Sequence, residues 1–135
     1  MAYDFSFEVE RIVGPSLEAR GFALDEVDQV DEGGRPGWVV YYRGEDTRIQ
    51  VYLSMREGEV NCMIAPIDAP NEYGLRNRSK RWRYFTRFIE RPNVALEELV
   101  KTASDVPDSD QGRLESVKQT IEMHFEAAHN GILQV

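Results

Sequence analysis

Apolar residues recur at three- and four-residue spacing through the first twenty positions: Phe5, Val9, Ile12, Val13 and Leu17. That period predicts an amphipathic helix from about Asp4 to Arg20. Pro15 lacks a backbone donor and should kink it or split it in two. Gly21 is placed to end it, and Phe22 returns the chain to the core. The period then changes to two. A short strand is predicted from Phe22 to Val27. A solvated loop, carrying Asp28, Asp31, Glu32, Gly33, Gly34 and Pro36, is predicted up to Gly37. Trp38–Arg43 is aromatic and β-branched, and Gly44-Glu45-Asp46 forms a turn. Thr47–Arg56 alternates, with Ile49, Val51, Leu53 and Met55 on one face and Gln50, Tyr52 and Ser54 on the other. After a tight turn at Glu57-Gly58, Glu59–Ala65 sets Val60, Cys62 and Ile64 on one face. Connections this short make an antiparallel meander.

Pro66 to about Gly74 is expected to be loop. Beyond it the pattern predicts three helices. The first runs from Leu75 or Ser79 to Arg91 and is stopped by Pro92. The second, Val94 to about Ser104, is capped by Asn93. A linker, Asp105–Asp110, precedes the third. That helix spans Gln111–Asn130, stripes Leu114, Val117, Ile121, Phe125 and Ala128 together, and stops at Gly131. A block of four strands followed by a block of helices predicts an α+β fold in one domain of 135 residues. The first and last helices should share one face of the sheet. The other face either is open, presenting Gln50, Tyr52, Ser54 and Asn61 as a polar and aromatic recognition surface, or is covered by another helix.

Charge changes the picture more than composition does. Seven of the 16 Lys and Arg residues lie between Arg76 and Arg91 beside one acid, Glu90, whereas the whole chain carries −8. On a helix, Arg76, Lys80, Arg83, Arg87 and Arg91 form one stripe within about 80°. Leu75, Trp82, Phe85 and Ile89 then face inward, and Arg78 and Arg81 flank them. Like charges so spaced repel. Three compensators are available: the chain's own acids Asp25, Glu26, Asp28, Asp31 and Glu32; an acidic protein partner or second copy; or a phosphate-bearing ligand. The acidic balance opposes generic nucleic-acid binding.

No apolar run approaches the roughly 18–20 residues of a membrane span. No basic region followed by an apolar one opens the sequence, so no secretory signal is expected. Cys62 is the single cysteine, which rules out an intrachain disulfide and points to a reducing, cytoplasmic setting. His124 and His129 sit about 140° apart on the last helix and are not spaced to share a metal. Cys62 is expected to be a buried, inert thiol. Neither a cofactor, a metal nor a catalytic residue is predicted. The candidate partner contacts are Arg76, Lys80, Arg83, Tyr84, Arg87 and Arg91, with Gln50 and Tyr52 on the open sheet face.

The opening helix ending in Gly21-Phe22, followed by a meander containing Arg48-Ile49-Gln50-Val51 and Gly58-Glu59-Val60, resembles small bacterial proteins. Some of these are immunity-like partners of toxins. The chain is also similar to type III secretion chaperones in its acidity, its length and its helix-then-meander opening. Here helices follow Pro66 where such chaperones have further strands. Both resemblances imply a non-enzymatic cytosolic binding protein. The rival from another class is a small-ligand sensor or enzyme, with a pocket between sheet and helices lined by arginine and by Tyr41, Tyr42, Tyr52 and Tyr73.

Overall fold

A computed structural model describes residues 5–55, 58–74, 78–88 and 110–134. Helices α1 (Phe5–Ile12) and α2 (Gly14–Glu18) open it. Strands β1 (Ala23–Glu32), β2 (Arg35–Arg43), β3 (Thr47–Ser54) and β4 (Glu59–Pro66) follow. Then come a two-residue strand β5 (Arg83–Tyr84), a 3₁₀ turn (Phe85–Phe88) and the helix α3 (Asp110–Leu133). The five strands lie in sequence order, and every neighbouring pair is antiparallel. The architecture is α+β, as the block order predicts. The predicted helix Val94–Ser104 lies outside the described residues.

Pro15 divides the first helix as expected: it sits in the first turn of α2, where its missing N–H costs nothing. Gly21, at φ +86°, closes α2 with the crossed bonds of a Schellman motif. Phe22 N–H donates to the Leu17 carbonyl at 3.0 Å, and Gly21 N–H donates to the Glu18 carbonyl at 3.1 Å.

The predicted loop 28–37 is instead a β-hairpin. Gly33 and Gly34 both have positive φ, the conformation a two-residue primed turn demands, and Asp31 Oδ1 accepts from Gly34 N–H at 2.8 Å. β1 therefore runs five residues past Val27. Met55 departs in the other direction: β3 ends at Ser54 and Met55 is exposed at the turn, outside the inner face.

Alternation along β2, β3 and β4 separates two cores. Val40, Tyr42, Ile49, Val51, Leu53, Cys62 and Ile64 pack beneath the helices. There they meet Phe5, Val9, Ile12 and Leu17 from α1 and α2, Val13 between them, and Leu114, Val117, Ile121 and Ala128 from α3. The first and last helices do share this face. Val39, Tyr41, Tyr52, Met63 and Ala65 form the second core with Ala69, Tyr73 and Trp82. This second face is not open, and among the described residues no helix covers it. The chain from 67 to 74 and from 78 to 82 lies over it.

Gly131 does not stop α3, which continues to Leu133. It is there for proximity: a Cβ at this position would lie 2.3 Å from Phe88 Cδ1. Gly131→Ala gains about 1 kcal/mol of helix propensity. It also drives a methyl into an aromatic ring, an overpacking cost of about 1–3 kcal/mol. A net loss of stability is expected, read as a lower urea midpoint with unchanged slope.

The segment 78–88 overturns the predicted amphipathic helix. Lys80 adopts φ +59°, Arg83 and Tyr84 pair with Ile64 and Met63, and only Phe85–Phe88 coil, as 3₁₀. The reason is that its two large anchors belong to different cores. Trp82 is buried on the second face and Phe85 under the helices. Residues three apart lie on one side of a helix but on opposite sides of an extended strand. Only the extended form lets this chain clip both faces of the sheet at its edge.

Candidate binding surface

The stretches 67–74 and 78–82 determine which predicted contacts are reachable. Gln50 and Tyr52 are fully buried beneath them, as is Ser54 on the same face. Gln50 Nε2 donates to the Glu72 carbonyl at 2.8 Å. The Tyr52 ring meets Tyr73 edge-on at 5.2 Å, and its hydroxyl lies 3.0 Å from that of Tyr84. Asn61 Nδ2 donates weakly to Tyr52 Oη at 3.4 Å. Burial pushes the Tyr52 phenol up, and the bond with Tyr84 reinforces the shift. Gln50 and Tyr52 are therefore internal fasteners and not partner contacts. Tyr41 and Tyr73 belong to the same core and Tyr42 to the other, so no tyrosine pocket forms between sheet and helices.

The cations of the segment separate into two groups. Arg81 is engaged: Nη2 bonds Asp68 Oδ1 at 2.6 Å. Beside it, Glu72 accepts from the backbone and hydroxyl of Ser79. Lys80 and Arg87 are exposed with no acidic partner among the described residues. Arg83 is half-buried at the sheet edge, and its Nε lacks a hydrogen-bond partner among the described residues. Tyr84 keeps 40% of its surface in solvent. Lys80, Arg83, Tyr84 and Arg87 thus share one short edge segment, though not the predicted helical stripe. Arg76 and Arg91 lie outside the described residues.

The acids of β1 do not compensate the edge cations. β1, which carries Asp25, Glu26, Asp28, Asp31 and Glu32, is the opposite edge of the sheet from β5. Four strand spacings put the two about 19 Å apart. Asp25 is instead held by Arg48 Nη1 at 3.0 Å and by Asn71 Nδ2 at 3.0 Å, and Asn71 also reaches Glu26 at 3.3 Å. These bonds tie the covering loop to β1. Arg48 adds a bond to the Ile67 carbonyl at 2.8 Å.

A cavity of about 330 Å³ opens between β4 and α3, lined by Val60, Cys62, Phe85, Val117 and the polar rim of Arg113, Ser116 and Thr120. The pocket expected between sheet and helices is lined by arginine and tyrosine; this cavity has Arg113 on its rim and no tyrosine among its described lining residues. Cys62 forms part of the wall, and burial alone pushes its thiol far above the ordinary range, which leaves no thiolate for chemistry near neutrality. His129 Nε2 lies 2.8 Å from Asp46 Oδ1, and its ring stacks on Phe125 at 5.4 Å, a clasp between α3 and the β2–β3 turn. Among the described residues no group of three or more His, Cys, Asp or Glu is arranged to hold a metal. No described helix is long and apolar enough to cross a membrane. Comparison of the chain with protein-family models, with curated proteins and with solved structures gives no match.

Proposed function

We propose that this chain is a non-enzymatic, cytoplasmic binding protein that engages an acidic protein surface through the edge segment 78–88. The observation that carries this reading is the exposure of Lys80 and Arg87 on a segment pinned at both cores by Trp82 and Phe85. Cations fixed by buried anchors lose little freedom on binding, and their field steers an acidic partner toward the edge. The resemblance to immunity-like proteins supports the same reading. Ala69, Tyr73 and Trp82 pack on the second sheet face, which favours this reading over a chaperone-like client groove there.

The test is charge reversal at two exposed cations that have no acidic partner among the described residues. Lys80→Glu with Arg87→Glu should change stability by no more than about 0.5 kcal/mol. It should also abolish a salt-sensitive partner that the unaltered chain retains from lysate. Retention of that partner by the folded variant overturns the reading, as does unfolding of the variant.

The cavity between β4 and α3 favours a second reading, a small apolar ligand held under Arg113. A thermal-shift screen of metabolites decides it: one compound must give saturable stabilisation that Val117→Trp removes.

A further inference from the structure

We infer that the two edges of the sheet are complementary halves of one self-association surface, the acidic β1 edge of one copy taking the cationic 78–88 segment of a second copy. The inference rests on the reading above in one respect: it uses the same cations.

Charge is distributed by edge. β1 has five acids and no Lys or Arg, a formal −5 over ten residues. The segment 78–88 has Arg78, Lys80, Arg81, Arg83 and Arg87 with no acid, a formal +5 over eleven. The edges terminate opposite sides of the sheet, and the outer side of each pairs with no strand among the described residues. A separation of about 19 Å is roughly twice the Debye length at 0.1 M salt, so the two charges scarcely neutralise each other within one molecule. β1 is exposed from Ala23 to Gln29 and offers Leu24 and Val27, each almost half exposed, beside its acids. Tyr84 does the same beside the cations.

Symmetry narrows the choice. An edge strand presents unpaired N–H and C=O groups to any extended chain, and charge decides which chain approaches. Joining β1 to β1 sets −5 against −5, and joining two cationic edges is equally repulsive. Only the unlike pairing brings opposite charges together. That contact is heterologous, so each copy keeps one unused edge and oligomers grow with concentration. Because β5 is two residues long, the contact is small, and the association is weak and salt-sensitive.

Light scattering on the purified full chain tests this between about 10 μM and about 1 mM at about 0.1 M salt. The weight-average mass should rise above 15.5 kDa with concentration. It should fall back at about 1 M salt, where the Debye length is near 3 Å. Two variants give the decisive arm, each first shown by circular dichroism to be folded. Asp28→Lys with Gln29→Lys disables the acidic edge, and Lys80→Glu with Arg87→Glu disables the cationic one. Each alone should remain a monomer, and an equimolar mixture should form a one-to-one dimer, because one intact acidic edge meets one intact cationic edge. A wild-type chain that stays monomeric at the highest concentration overturns the inference, as does a mixture that stays monomeric. The D28K/Q29K variant keeps its cations, so it should still capture an acidic partner from lysate. Capture without self-association sinks only this inference, and self-association without capture sinks only the proposed function.

Discussion

Replacing Trp82 by alanine is expected to remove about 3–5 kcal/mol of stability, the range for deleting a large buried aromatic. A small domain has about 5–15 kcal/mol in total, so this one change approaches the limit of folding. Trp82 is 1% exposed. Its ring packs against Tyr41 at 6.1 Å, and its Nε1 donates to the Pro70 carbonyl at 2.8 Å. It therefore joins three things: the sheet, the covering loop and the edge strand that begins one residue later. The variant leaves a void in the second core and frees the loop from 67 to 74. Trp82→Phe separates the components. It keeps most of the packing and loses the hydrogen bond, so it should cost about 1–2 kcal/mol. Arg81→Ala, beside it, breaks only a solvent-exposed ion pair with Asp68 and should cost under about 1 kcal/mol. Urea unfolding of the three variants gives the ranking directly. A loss below about 1.5 kcal/mol for Trp82→Ala would mean that the second core is not part of the cooperative unit.

The same tryptophan shows how far the sequence could be followed. The meander was legible because β2, β3 and β4 bury one face against helices, and a period of two survives in Ile49, Val51 and Leu53. Helices α1 and α2 were legible because their apolar stripe meets that same face. β1 is legible only as far as Val27 because it is an edge exposed along most of its length, so its residues show no alternation and its acids mimic a loop. The spacing of Trp82 and Phe85 fits one face of a helix, but it fits equally a strand that feeds two cores. Hydrophobic periodicity reports that a residue is buried without reporting where.

The candidate surface was half legible for a related reason. Gln50, Tyr52 and Ser54 looked like a solvated face because they are polar. Their solvent is replaced by the chain itself: the Glu72 carbonyl for Gln50 and the Tyr84 hydroxyl for Tyr52. The covering residues Ala69, Tyr73 and Trp82 follow no period, so nothing in their spacing announced a lid. Charge was the more durable signal. Five cations between Arg78 and Arg87 stay together at the edge whether that segment is helix or strand, because clustering in sequence needs no secondary structure to become clustering in space.

Alkaline solution is expected to unfold this protein steeply, with loss of stability starting near pH 10, the ordinary tyrosine value. Tyr41, Tyr42 and Tyr52 are each at most 2% exposed. Burial pushes all three phenols up. The carboxylates of Glu26, Asp28 and Glu72 add to the effect at Tyr41, and those of Glu10 and Glu18 at Tyr42. The sign follows from where the protons are. Below about pH 10 both states keep them and the fold has its full stability. Above it the unfolded chain releases three protons that the fold retains, so stability falls by about 1.4 kcal/mol per pH unit for each, about 4 together. Urea midpoints measured at intervals from about pH 8 to about pH 11 should be flat at first and then drop. The phenolate absorbance contributed by Tyr41, Tyr42 and Tyr52 should appear together with loss of the far-ultraviolet signal. Tyr42→Phe sharpens the test. The Tyr42 hydroxyl is buried without a hydrogen-bond partner among the described residues, so removing it should leave stability at neutral pH unchanged or slightly raised. The alkaline slope should then shrink by about one third, since one of the three retained protons is gone. Tyr52→Phe removes the same proton but also breaks the bond to Tyr84, so it should lower the neutral-pH stability by about 1 kcal/mol while flattening the slope equally. An undiminished slope in Tyr42→Phe would show that the buried phenols are not what alkali attacks, and would move the explanation to the chain's rising net negative charge.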